Sequence, residues 1–167
     1  MQNVLASGFE PVLNRSMFSP APEAEYRNDS YAPQEHSDRQ FVDMLNSYRD
    51  SGGLARSQEV AALLKRRGGC DLTTLAGWID NKKVICFEWQ SKIWLPLFQF
   101  NRIDMTLQPG LSQVLAQLTS GYDGWELANW FAQPNRWLGD RTPAAMLGLD
   151  RSAVLNALRA DRLIANG

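Results

Sequence analysis

The chain has 167 residues, 44% of them hydrophobic, with 17 Lys or Arg against 18 Asp or Glu, enough length and apolar content for one folded domain or two small ones. Two cysteines are too few for a disulfide framework, and no apolar run approaches the roughly 20 residues that cross a bilayer, which excludes a disulfide scaffold and a transmembrane helix. The net charge of −1 conceals an acidic start: residues 1–50 hold four Arg and eight acids, while residues 51–167 hold thirteen Lys or Arg and ten acids. The later part can therefore touch nucleic acid, without the strong positive balance of a dedicated DNA binder.

Residues 1–36 read as a flexible arm, holding four of the eight prolines, Pro11, Pro20, Pro22 and Pro33. Its one apolar cluster, Phe9, Val12, Leu13, Met17 and Phe18, either docks on a partner or is incidental to a mobile tail. The start of the chain has no basic segment followed by an apolar run, so a cytoplasmic location with reduced thiols is expected. From Ser37 the pattern changes. Ser37 with Gln40 makes a capping box, and Phe41, Met44, Leu45 and Tyr48 fall at helical spacing before Gly52-Gly53 ends the element.

Ser57 is placed to cap a second helix with Val60, Leu63 and Leu64 inward and Lys65-Arg66-Arg67 at its carbonyl end. Gly68-Gly69 breaks it. Asp71 is placed to cap a third helix with Leu72, Leu75 and Ile79 on one face. Val84 to Trp89 and Ile93 to Leu95 flank Gln90-Ser91-Lys92 and predict a β-hairpin. Trp89, Trp94, Phe98 and Phe100 then form an aromatic stripe, either core or a surface that a second protein covers. Pro109-Gly110 opens a fourth helix with Leu111, Val114, Leu115 and Leu118 inward. Asp123 caps a fifth, running through Trp130. Pro134 stops that helix, Thr142-Pro143 starts the next, and Asp150 caps a last one with Val154, Leu155 and Leu158 inward. Trp130 and Trp137 are expected in the core. The fold class is thus mainly α with a small β-hairpin: a winged-helix or MerR-like module over residues 37–108, then a helical bundle over residues 109–167.

The inventory for catalysis is thin. His36 is the only histidine and falls in the arm, Cys70 and Cys86 have no zinc-ligand spacing, and no phosphate-binding glycine motif is present. The expectation is a protein that is not an enzyme, with no cofactor and no metal. Arg56, Lys65, Arg66, Arg67, Lys82, Lys83 and Lys92 fall around the second and third helices and the hairpin, where cations would neutralise phosphates, and Thr73 and Thr74 would face base edges. No Arg, Asn or Gln occupies that outward face, so the side chains best suited to bidentate base recognition are absent from it.

Trp125, Leu127, Ala128, Trp130, Pro134, Asn135, Leu138, Gly139, Arg141, Thr142, Pro143 and Leu147 resemble the motif of the antitoxin MbcA/ParS/Xre-type C-terminal domain, over roughly residues 109–160. Upstream, Ser57-Gln58-Glu59-Val60-Ala61, Trp78 and Pro96-Leu97-Phe98-Gln99-Phe100 are similar to the DNA-binding-like half of small bacterial proteins carrying that domain. Gly139-Asp140-Arg141 departs from the usual double glycine. The resemblance implies a homodimer formed through the C-terminal half, with a protein partner, often a toxin encoded nearby, bound there; Trp130, Asn135, Trp137, Arg141, Arg159 and Arg162 are the residues expected to meet it. Double-stranded DNA is the second expected partner and the membrane is not one. The alternative is a stand-alone adaptor that binds protein without DNA.

Overall fold

The computed structural model describes residues 36–68, 72–118 and 121–165. The expected arm over residues 1–35, Gly69, Cys70 and the Asp71 cap lie outside the described residues. Helix α1 (Asp38–Ser47) starts where expected: the Ser37 hydroxyl accepts from the Gln40 N–H at 3.3 Å, and Gln40 Oε1 accepts from the Ser37 N–H at 2.8 Å. Its face of Phe41 and Met44, with Tyr48 just beyond, is buried. The Tyr48 hydroxyl donates to the Ala128 carbonyl at 2.5 Å. Burial pushes that phenol well above the usual tyrosine range, so the fold holds it neutral. Its contribution to stability is full below the ordinary tyrosine pKa of about 10 and is lost as pH rises through the folded value.

After a turn through Gly52 and Gly53, strand β1 (Leu54–Arg56) pairs antiparallel with β3 (Lys92–Pro96), which also pairs antiparallel with β2 (Phe87–Trp89); the order is β1-β3-β2. The expected hairpin is present, tighter than the sequence indicated. Its two-residue turn, Gln90-Ser91, has positive φ at both positions, 49° and 56°, the twist that two-residue hairpins favour. The strand expected from Val84 begins only at Phe87 because Ile85 bonds elsewhere: its N–H donates to Gln99 Oε1 at 2.8 Å and its carbonyl accepts from Gln99 Nε2 at 2.9 Å. A fully buried side-chain amide takes the place of a neighbouring strand. β1 carries no alternation long enough to be recognised in advance.

Helix α2 (Ser57–Leu63) begins one residue earlier than expected. Arg56 rather than Ser57 is the N-cap residue, and the Glu59 carboxylate accepts from its N–H at 2.7 Å. The helix widens into a π turn at Leu64–Gly68. In α3 (Leu72–Asp80), Leu75 is buried and Ile79 half-buried, but Leu72 is 60% exposed. The first residue of a helix leans back past its own end, so Leu72 points off the core instead of into it.

The short sheet lies between two cores. Leu54, Phe87, Trp89 and Trp94 face the larger, built with Phe41, Met44, Tyr48, Phe98 and residues of the later helices; Ala55 and Leu95 face the smaller, with Val60, Leu64, Leu75, Val84, Phe100 and Met105. The larger core crosses the boundary expected at residue 108, joining α1 and the sheet to α4 (Leu111–Leu118), α5 (Gly124–Ala132), α6 (Pro143–Met146) and α7 (Arg151–Ala165). Of these, α5, α6 and α7 carry the expected caps. Asp123 and Glu126 form a second capping box at 2.8 and 2.9 Å, the Thr142 hydroxyl accepts from the Ala145 N–H at 3.2 Å ahead of Pro143, and Asp150 accepts from the Ala153 N–H at 2.9 Å. His36, expected to be part of the arm, instead stacks on Trp125 at 3.9 Å with the rings 8° apart. A planar ring laid on a tryptophan is worth enough to tie down the residue next to a capped helix.

Where α5 begins, it meets the chain just before β2 so closely that a Cβ on Gly124 would stand 2.0 Å from the Cys86 carbonyl oxygen. Gly124→Ala must separate helix from strand, so it should cost about 3 kcal/mol by urea denaturation. A loss below about 1 kcal/mol would mean that the contact is not maintained in solution.

Candidate functional site

Chain geometry after α5 closes the tryptophan junction. The Asn135 N–H donates to the Arg141 carbonyl and the Asp140 N–H to the Asn135 carbonyl, each at 3.0 Å, while Asn135 Oδ1 accepts from the Trp137 N–H at 2.9 Å. Between them Gly139 and Asp140 both take the left-handed conformation, φ 64° and 60°. Aspartate is among the few residues other than glycine that visit this region, so the departure from a double glycine leaves the turn able to form. Leu138 anchors it by burial.

The junction is held by a residue that the motif does not contain. Asp161, on α7, accepts from Trp130 Nε1 at 3.0 Å and Asn135 Nδ2 at 2.7 Å on one oxygen, and from Trp137 Nε1 at 3.1 Å on the other. Three of the six expected partner-binding residues therefore converge on one carboxylate. A signal for it exists in the sequence. Val154, Ala157 and Leu158 are the buried stripe of α7, and Asp161 continues it at helical spacing, where an acid needs donors and two indole N–H groups need acceptors.

The other three are dispersed. Arg141 is exposed, with Nη1 3.6 Å from Met146 Sδ. Arg159 donates from Nε to Gln117 Oε1 at 3.3 Å, and Arg162 donates to the Gln117 carbonyl, so both tie α7 to α4. Trp137 is not in the core: it is 51% exposed, because its N–H bond to Asp161 holds the ring at the rim. The Arg136 guanidinium lies over it, 5.1 Å from the ring centroid. Beside this ring Trp130, Pro134, Asn135, Asp140 and Asp161 bound a hollow of about 390 Å³.

The basic residues form a looser group. Lys65, Arg66 and Arg67 are exposed on the π turn, and Arg67 Nη1 donates to the Arg102 carbonyl at 2.7 Å, which engages it structurally. Lys82, with φ 52°, and Lys83 are exposed beyond the far end of α3, and Lys92 is exposed where β3 starts. Arg56 lies over the Trp94 ring at 5.3 Å. On α3 itself Thr73 is exposed and Thr74 half-buried, alongside exposed Ala76 and Asp80. Cations thus flank this helix without lying along it.

Besides Tyr48, two groups among the described residues have shifted reactivity. Burial pushes the Cys86 thiol up, away from thiolate. Asp104 is held below the usual carboxylate range by the Thr106 N–H and then the Thr106 hydroxyl, at 3.0 and 2.7 Å, a loop-forming arrangement. Among the described residues no three His, Cys, Asp or Glu side chains converge as metal ligands, and no helix is long and apolar enough to cross a membrane. No family model, no curated protein and no solved structure matches the chain.

Asp161→Ala strands the Trp130 and Trp137 N–H groups and the Asn135 amide. It should cost about 2 kcal/mol, with the Trp137 indole N–H resonance moving to a free, solvent-exchanging position. Trp137→Ala, at a half-exposed site, should cost less than about 1 kcal/mol, against about 3 kcal/mol for Trp130→Ala. Equal losses at the two tryptophans, measured by thermal denaturation, would contradict this arrangement.

Proposed function

We propose that the chain is a non-enzymatic, antitoxin-like binding protein that engages a protein partner through the face built on Trp130, Asn135 and Trp137. The observation that carries this reading is the treatment of Trp137: a large ring left half in solvent, yet fixed by a carboxylate behind it and a guanidinium over it. Exposed aromatic rings that have already lost their rotational freedom are the groups around which protein interfaces concentrate binding energy. Two successive left-handed residues at Gly139 and Asp140 also fit the double-glycine turn of the antitoxin MbcA/ParS/Xre-type C-terminal domain. In this reading the C-terminal half, residues 109–160, forms a homodimer in the cytoplasm and the partner is a toxin encoded nearby.

A second component of the proposal is DNA contact. The order helix, strand, helix, helix, strand, strand, with β1-β3-β2 pairing, supports a winged-helix module, and the cations flanking α3 suit phosphates. With Thr73 and Ala76 rather than Arg, Asn or Gln outward, such contact would read position and shape more than base identity. Fluorescence anisotropy with the protein's own upstream duplex tests it. Affinity should fall steeply with salt, and Arg66→Ala should weaken binding to every duplex alike. No binding at low salt removes the DNA component and leaves the adaptor reading. The partner component is tested separately, by purifying the native complex: Trp137→Ala should release the bound protein while the chain keeps its melting temperature, and retention of the partner would show that this face is not the contact.

A further inference from the structure

A further hollow of the described residues is lined by none of the side chains that bound the Trp137 hollow and by none of the basic group around α3. It is a trough of about 760 Å³ between the carbonyl end of α1, the turn after β3, and α6, with Leu97, Leu147 and Leu149 among its apolar lining and Arg102 and Arg141 on its walls. Both arginines are exposed, and neither guanidinium pairs with a carboxylate among the described residues. Arg141 has only the weak contact to Met146 sulfur. Asp50 shares the wall without an ion pair to either.

The two cations rest against different neighbours. Arg102 leans over the turn at Gly52, where a Cβ would come 3.7 Å from its Nη2, whereas Arg141 leans on α6 at Met146. A compact anion such as phosphate calls for donors that converge on one spot. Guanidiniums that rest against different neighbours, on a lining that also carries leucines, Leu149 being 75% exposed, match instead a chain whose carboxylates are spaced by apolar side chains. We propose that this trough binds an extended peptide segment of another protein in which acidic residues alternate with leucine-like ones. Arg102 and Arg141 each take one carboxylate, and the apolar side chains cover Leu97 and Leu149. The assignment stands without the DNA contact and without the Trp137 face.

The test is a titration of the full chain, with nitrogen-15 in its arginines, by acetyl-Leu-Glu-Ala-Leu-Glu amide, following the Nε–Hε signals of Arg102 and Arg141. Both should shift saturably, and the same peptide with Gln for Glu should bind about tenfold more weakly. Arg102→Gln and Arg141→Gln should each weaken binding about threefold, as exposed ion pairs do. Because both side chains are exposed, the variants should keep the wild-type melting temperature, which separates lost binding from lost folding. An equal response to the Gln peptide, unchanged affinity in the double variant, or equally strong shifts from inorganic phosphate alone would each overturn the proposal.

Discussion

Three strands, the longest of five residues, make a sheet with too few hydrogen bonds and too little area to persist in water unless both faces are covered. Here each face has its own core, and the rest of the fold follows from that requirement. The smaller core needs α2 and α3 on one side. The larger needs α1 and the whole C-terminal set of helices on the other. Aromatic rings supply much of the cover: Phe41 stacks on Trp89 at 3.7 Å, and Phe87 meets Trp125 edge to face at 5.0 Å, so one phenylalanine of α1 and one tryptophan of α5 close the same sheet face.

Where strands run out, side chains take over their bonding. Gln99 completes both backbone partners of Ile85, and the Tyr48 hydroxyl bonds a carbonyl of α5. These two buried polar contacts, each satisfied, fix how the aromatic layer seats between strand and helix. Asp161 plays the corresponding part after α5, where a loop closed by its own backbone bonds is tied to α7 by one carboxylate.

Much of the helical framework was legible because its signals are local. The capping box at Ser37 needs only residues three apart, Asp123 is recognisable as a cap although its reciprocal bond from Glu126 was not foreseen, and Thr142-Pro143 announces α6 by itself. The buried faces of α1, α4 and α7 followed from spacing in the same way. What escaped notice depends on partners far along the chain. β1 is a strand only because β3 lies beside it, and Gln99 replaces a strand only because Ile85 is brought opposite. Asp161 gains its role from residues 24 to 31 positions earlier. At the candidate site the motif residues Trp130, Asn135 and Trp137 are named from the sequence, while the carboxylate that gathers them is signalled only by its place on the buried stripe of α7 and was missed, and Trp137 was assigned to the core because apolarity alone does not distinguish a buried ring from one displayed on purpose. Arg102, outside every motif, acquires interest only when the turn after β3 is set against α6.

The Gly124 contact has a mechanical meaning. Where the first turn of α5 rests on the carbonyl before β2, no side chain separates the two backbones, and the aromatic packing of Trp125 on Phe87 begins beside that point. A tilt of α5 about this point of contact has no soft layer there to absorb it, so the start of β2 would have to move with it.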